Sequence, residues 1–247
     1  MERAPARLVL LPHAGGSVAA LPWRARLSRA VAERVVDLEL PGRGRRFGAP
    51  FAPSLRALAA ALAADIRAAV GDVPVLFQGH SMGALLAYEI ARERCAQGGA
   101  VAGLVLSGRA APRWPAARDA PPRHLCADAV LVEELRRLGG TPAEVLAAPD
   151  LMDLVLPVVR DDFRLVETYR WEPGPRLRVP AVVLGGRDDP ATSPAALAAW
   201  GEVITGPLRV EHWPGGHFFP YPEPQRLADL IGHYAVAAPL PAGAHAG

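Results

Sequence analysis

No lysine occurs in the 247 residues; the 27 basic side chains are all arginine, set against 25 acids for a formal net charge of +2. Bases and acids are interspersed, so no long-range field points to nucleic acid or to an anionic membrane as partner. Cysteine is scarce as well. Cys95 and Cys126 have no metal-ligand spacing and are too few for a disulfide framework, which reads as two buried structural thiols in a reducing compartment. A clustered set of metal ligands and a dinucleotide-binding fingerprint are both missing, so no metal and no cofactor is expected. Long apolar runs are missing too. "LVLLP" (Leu8 to Pro12) is too short for a signal or membrane segment, and "LAAALAAD" (Leu58 to Asp65) is punctuated by Arg56, Asp65 and Arg67. These absences lead to the expectation of a soluble, cytoplasmic protein.

Hydrophobic residues, at 51% of the chain, are sufficient for a substantial core in a single α/β domain. Short apolar runs recur at Arg7–Pro12, Val35–Leu40, Pro74–Gly79, Val101–Gly108, Pro180–Gly186 and Leu208–Pro214, and read as strands buried on both faces. Helical patterns fall between them at Ala20–Glu33, at Leu55–Val70 behind a Ser54 cap, and at Met82–Gln97. Strand and helix alternating in this way predict a mostly parallel sheet covered by helices on both faces.

The alternation breaks between Gly108 and Pro180, too long a gap for an ordinary connection. The segment "DAVLVEELRRLGG" places Leu131, Leu135 and Leu138 on one helical face, with Gly139 or Gly140 as a stop. In "TPAE", Thr141 is expected to cap, Pro142 to open a helix and Glu144 to complete a capping box. The amphipathic stretch from Asp150 carries Pro157 and is expected to kink or split there. The resulting organisation is one α/β domain over residues 1–236, with a helical lid inserted at 109–179, and a tail of small residues and proline at 237–247 that is expected to be disordered.

The stretch "FQGHSMGALLAYEIA" ends a strand and begins a helix, with Gly79, Ser81 and Gly83 at the corner. This fits G-x-S-x-G, a sharp turn that projects a serine above the sheet, with glycines where side chains would clash. A serine hydroxyl needs a base, which in this arrangement comes late in the chain after an acid. His217, between glycines in "GGHFF" just past the last strand, is the candidate base. His212, His124, His233 and His245 lie in a strand, the insertion, a terminal helix and the tail, and His80 is expected to pack behind the elbow. In "VVLGGRDDPATSP" either Asp188 or Asp189 can orient the imidazole; Ser193 as a cap and Pro194 opening a helix favour Asp189. Two backbone donors are needed for an oxyanion: the N–H of Met82, next to the nucleophile, and that of Ala14 in the early loop "LPHAGGS".

With Ser81, Asp189 and His217 in that order, the chain resembles the α/β-hydrolase superfamily. Its segments "LPHAGGS", "LPGRGRRF", "GHSMGA", "LGGTPAEVL", "LPVVRDDF", "GGRDDP" and "PGGHFF" make it similar to type II thioesterases of polyketide synthase and nonribosomal peptide synthetase systems. The resemblance implies a monomeric serine thioesterase without a cofactor. It would clear stalled or wrongly primed acyl groups from the phosphopantetheine arm of an acyl or peptidyl carrier protein, through an acyl-serine. Arg43, Arg45 and Arg46 then become candidate contacts to the acidic carrier protein or the phosphate of the arm. The alternatives are a chain-releasing thioesterase or other serine esterase and, from another class, a noncatalytic module that binds carrier proteins.

Overall fold

The computed structural model describes residues 5–115 and 121–236; the tail expected at 237–247 lies outside the described residues. Five strands, β1 (Arg7–Leu11), β2 (Val75–His80), β3 (Val101–Ser107), β4 (Ala181–Gly186) and β5 (Leu208–Trp213), form one sheet in the order β1-β2-β3-β4-β5. Every neighbouring pair is parallel. Alternation within the apolar runs supplies both faces. Val9, Leu11 and Phe77 join one buried cluster with Leu58, Leu62, Leu85 and Trp200, while Leu8, Leu10 and Leu76 join another with Trp23, Leu227 and Ile231.

The helices are α1 (Arg29–Ala32), α2 (Leu55–Val70), α3 (Met82–Ala96), α4 (Asp128–Leu138), α5 (Ala143–Leu146), α6 (Pro149–Thr168), α7 (Pro194–Ala198) and α8 (Pro224–Val236). Ser54 caps α2 by accepting from the Ala57 N–H at 3.1 Å, and Ser193 caps α7 by accepting from Ala196 at 3.3 Å. Gly139 ends α4 in the left-handed conformation at φ 79°, open to glycine without strain. Between β3 and β4, α4 and α6 pack through a cluster of their own that includes Leu131, Leu135, Leu156, Val159 and Phe163. No helix among the described residues is long and apolar enough to cross a membrane.

Several expectations are corrected. Val35–Leu40 is no strand: Val36 donates to the Leu8 carbonyl at 2.8 Å and Val35 makes a single bridge to Leu8, after which the chain continues as coil. Val36, Leu38 and Leu40 are still buried, so their alternation records packing without a ladder. The helix expected over Ala20–Glu33 is broken into 3₁₀ turns at Val18–Ala20 and Arg24–Arg26 followed by the four-residue α1, because Leu21, Leu27 and Ser28 are extended. The buried Trp23 takes the place of a regular helical face. Strand β5 is an edge strand with Arg209 and Val210 exposed, not one buried on both faces.

Pro142 occupies the N-cap position of α5 and Thr141 makes no capping bond, so the capping box does not form. Helix α6 runs unbroken through Pro157. The lost backbone bond, at a cost of about 3 kcal/mol, is offset by the burial of Leu156, Val158 and Val159 around it. Of the two free cysteines, Cys95 is exposed and Cys126 half-buried, so neither is a buried core thiol.

Candidate active site

Strand β2 ends where α3 begins, and the junction is made by Ser81 at φ 56°, the one non-glycine residue with positive φ among the described residues. A Cβ at position 79 would overlap the Gly83 carbonyl, and one at position 83 would overlap the Leu11 carbonyl. Both flanking glycines are therefore demanded by backbone contact, and the serine is left in a conformation costing roughly 1–3 kcal/mol. Strain of this kind holds a side chain in place at the head of a helix.

The loop after β5 comes to the same point. Gly186, at the tip of β4, lies so close to the Gly215 and Gly216 carbonyls that no side chain fits there. The Asp188 N–H donates to the Gly215 carbonyl at 3.0 Å. This contact places His217 over the end of the sheet. Its Nδ1 lies 2.8 Å from Asp189 Oδ2, and its Nε2 lies 2.9 Å from Ser81 Oγ. A carboxylate can only accept, so Nδ1 carries the proton and Nε2 is left to accept from the serine hydroxyl.

Asp189 is 6% exposed and Asp188 is exposed, so the geometry distinguishes the two acids that the sequence left open. Burial works to raise the Asp189 pKa. The hydrogen bond and charge of His217, with further bonds from Ala191 and Thr192, outweigh it and hold the carboxyl below its usual range. The group stays an anion, able to stabilise an imidazolium.

Behind this chain stand two further imidazoles. His80 is fully buried, with Nδ1 2.9 Å from Ser107 Oγ, whose hydroxyl donates to the Gly79 carbonyl at 3.2 Å. Its ring packs 5.3 Å from that of His217. His13 Nδ1 hydrogen-bonds the Tyr221 hydroxyl at 2.9 Å. Burial first, then the positive charge of His217, pushes the His13 pKa down to about 3 and that of His80 well below its ordinary value. Both are neutral wherever His217 works as a base.

The Met82 N–H stands at the free amino end of α3, and the Ala14 N–H lies in the loop following β1; neither donates to an acceptor among the described residues. That loop is held by Arg43 and by Asp162, to which the sequence assigned no role. Asp162 Oδ2 accepts from the Gly15 N–H at 2.7 Å and also pairs with the Arg43 guanidinium, while Arg43 Nε donates to the Gly16 carbonyl at 2.8 Å. The available signal was the doubled acid in "LPVVRDDF": in α6 the helical phase turns Asp162 inward, 2% exposed, while Asp161 binds Arg164 at 2.7 Å.

Arg43 is thus 8% exposed and fully engaged inside the protein, which removes it as a contact for an incoming partner. Arg45 and Arg46 remain accessible. Arg45 pairs with Asp37 at 2.8 Å and Arg46 with Asp65 at 3.3 Å. Among the described residues no group of three His, Cys, Asp or Glu side chains is arranged to hold a metal ion.

A protein-family model described as a thioesterase domain matches residues 6–235. A probable cadicidin biosynthesis thioesterase from Streptomyces griseus is 39% identical over 214 residues, covering 86% of this chain and 58% of that relative, so the chain spans little more than half its length. Among solved structures, the type II thioesterase BorB of the borrelidin biosynthetic cluster superposes with a TM-score of 0.80 at 36% identity, covering 94% of this chain and 95% of BorB. The type II thioesterase YbtT of the yersiniabactin NRPS/PKS pathway superposes with a TM-score of 0.80 at 32% identity, covering 95% of this chain and 94% of YbtT.

Proposed function

The chain belongs to the thioesterase family, and from that premise we propose that it is an editing serine thioesterase acting beside polyketide or nonribosomal peptide synthases. Its substrate is a stalled or aberrant acyl group held as a thioester on the phosphopantetheine arm of an acyl or peptidyl carrier protein. The observation that carries the reading is the hydrogen-bonded chain from Ser81 through His217 to Asp189 at 2.9 and 2.8 Å, in a protein similar to BorB and YbtT.

In this reading the Ser81 oxygen attacks the thioester carbonyl as its proton passes to His217 Nε2, and the Asp189 carboxylate stabilises the imidazolium. The carbonyl oxygen becomes an anion facing the N–H groups of Met82 and Ala14. Collapse breaks the C–S bond and the sulfur leaves with the proton from His217. Thiols of this kind have a pKa of about 8.5, so they leave readily and ask little of the general acid. Water, deprotonated by His217, then attacks the acyl-serine and releases the carboxylic acid with Ser81 restored.

The same proposal assigns residues 1–236 to one α/β-hydrolase domain, with 109–179 acting as a lid, in a monomeric cytoplasmic enzyme. Support for the lid comes from its contacts: Gly140 packs on the Phe218 ring beside His217, and Val159 of α6 closes on Gly15. Carrier-protein recognition falls to Arg45, exposed, and Arg46, half-buried, on one turn.

Competition kinetics test the editing role. Carrier proteins loaded with acetyl, propionyl or a mature chain are compared with simple oxygen esters of the same acids. The editing role requires a higher kcat/KM for short carrier-bound acyl groups; preference for the mature chain would make the enzyme a chain-releasing thioesterase, and preference for the oxygen esters a general esterase.

A further inference from the structure

The buried pair between Arg43 and Asp162 joins the turn at Pro41–Phe47 to helix α6 of the insertion, 119 residues apart, and the loop following β1 meets the same carboxylate through Gly15. We infer that Asp162 is a positioning residue for the reaction, holding the Ala14 N–H in place for the oxyanion through its hydrogen bond to the Gly15 N–H. This rests on the serine thioesterase reading above. One carboxylate oxygen, Oδ2, receives both the Gly15 N–H at 2.7 Å and the Arg43 guanidinium. Arg43 in turn donates to the Gly16 carbonyl and to the Pro41 carbonyl, each at 2.8 Å. The donor loop is therefore clamped on both sides of the Gly15–Gly16 peptide, directly after Ala14.

Backbone geometry makes the clamp necessary. Gly15 adopts φ 78° and lies so close to Val159 that a side chain would meet its Cγ2 at 2.5 Å. A glycine pair left untied would sample many conformations, and an oxyanion donor is useful only if it is fixed before the charge develops. The tie originates in the insertion, so seating of α6 on the sheet and completion of the oxyanion pocket become one event. Asp161, the preceding residue, hydrogen-bonds Arg164 instead.

The test uses Asp162→Asn, Arg43→Lys and Asp161→Asn in the full chain. It reads hydrolysis of S-acetyl-N-acetylcysteamine, binding of a short alkylboronic acid whose tetrahedral serine adduct carries an anionic oxygen, and thermal melting. For Asp162→Asn the expected result is a kcat roughly 10- to 100-fold lower with KM little changed, and a boronate Kd raised by a similar factor. Arg43→Lys keeps the charge but loses the fork, so it moves both quantities in the same direction by less. Asp161→Asn stays within about twofold of wild type.

Should Asp162→Asn fail to fold, Arg43→Lys decides. Unchanged kcat and boronate affinity in an active background overturn the inference alone. So does a kcat that falls while boronate affinity holds. A wild-type protein with no hydrolysis, or a Ser81→Ala variant that retains it, overturns the thioesterase reading and this inference with it.

Discussion

Ser81 Oγ and His217 Nε2 stand 2.9 Å apart although 136 residues separate them in sequence. Each is delivered by a glycine-dependent close approach of backbone: Gly79 and Gly83 at the elbow, and Gly186 against the Gly215–Gly216 turn. The pair is thus a property of the sheet's carboxyl edge, where the ends of β2, β4 and β5 converge. Changes to either approach should act on folding and chemistry together.

Alanine at Gly79 or at Gly83 would force a Cβ onto a backbone carbonyl that has nowhere to move. Each substitution is expected to destabilise by about 3 kcal/mol. Gly98→Ala, with φ 76° and nothing within 4 Å, should lose only about 1–2 kcal/mol. Urea denaturation of the three variants checks the ranking.

Relief of the Ser81 strain separates stability from activity. Ser81→Gly should be more stable than Ser81→Ala by about 1 kcal/mol, because glycine accepts φ 56° without steric cost, and both should be inactive. Equal melting temperatures would show that the surrounding structure bears no strain at this corner.

Two buried neutral histidines make stability depend on acid. The His13 pKa in the folded state is about 3, and that of His80 is also depressed. The unfolded chain, with imidazoles near 6.5, therefore binds more protons, so their contribution is complete above about pH 6.5 and is lost as pH falls toward 3. Asp189, also depressed, adds a loss only at lower pH, below the ordinary carboxylate range. Urea midpoints from pH 7 to 4 should decline for wild type and decline less steeply for His80→Gln.

Charge reversal at Arg45 and Arg46 should lower kcat/KM on a carrier-bound acetyl group roughly tenfold while sparing S-acetyl-N-acetylcysteamine. Steady-state kinetics with both substrates checks this. Equal effects on the two would place these arginines in the folding of their loop rather than in recognition.

Legibility in the sequence followed the range of the forces involved. Runs such as "PVLFQG" and "PAVVLGG" announced their strands because a parallel strand buried on both faces must be apolar throughout. Ser81, Asp189 and His217 were found as motifs, because tight backbone corners leave glycines around them. Val35–Leu40 misled for a related reason: Val36, Leu38 and Leu40 alternate to pack the core, yet only Val36 donates to β1. Burial pattern and ladder are separate facts. Asp162 left only the doubled acid of "LPVVRDDF" as a local mark, since its partners at Gly15 and Arg43 lie 147 and 119 residues away and only the fold sets them opposite one another.

The central claim is that Ser81 cleaves a carrier-bound thioester. Intact-mass spectrometry of acetyl- and propionyl-loaded carrier protein, incubated with wild type beside Ser81→Ala, measures it directly. The account predicts loss of the acyl mass with wild type and retention with the variant; an acyl group that persists in both reactions, or disappears in both, contradicts it.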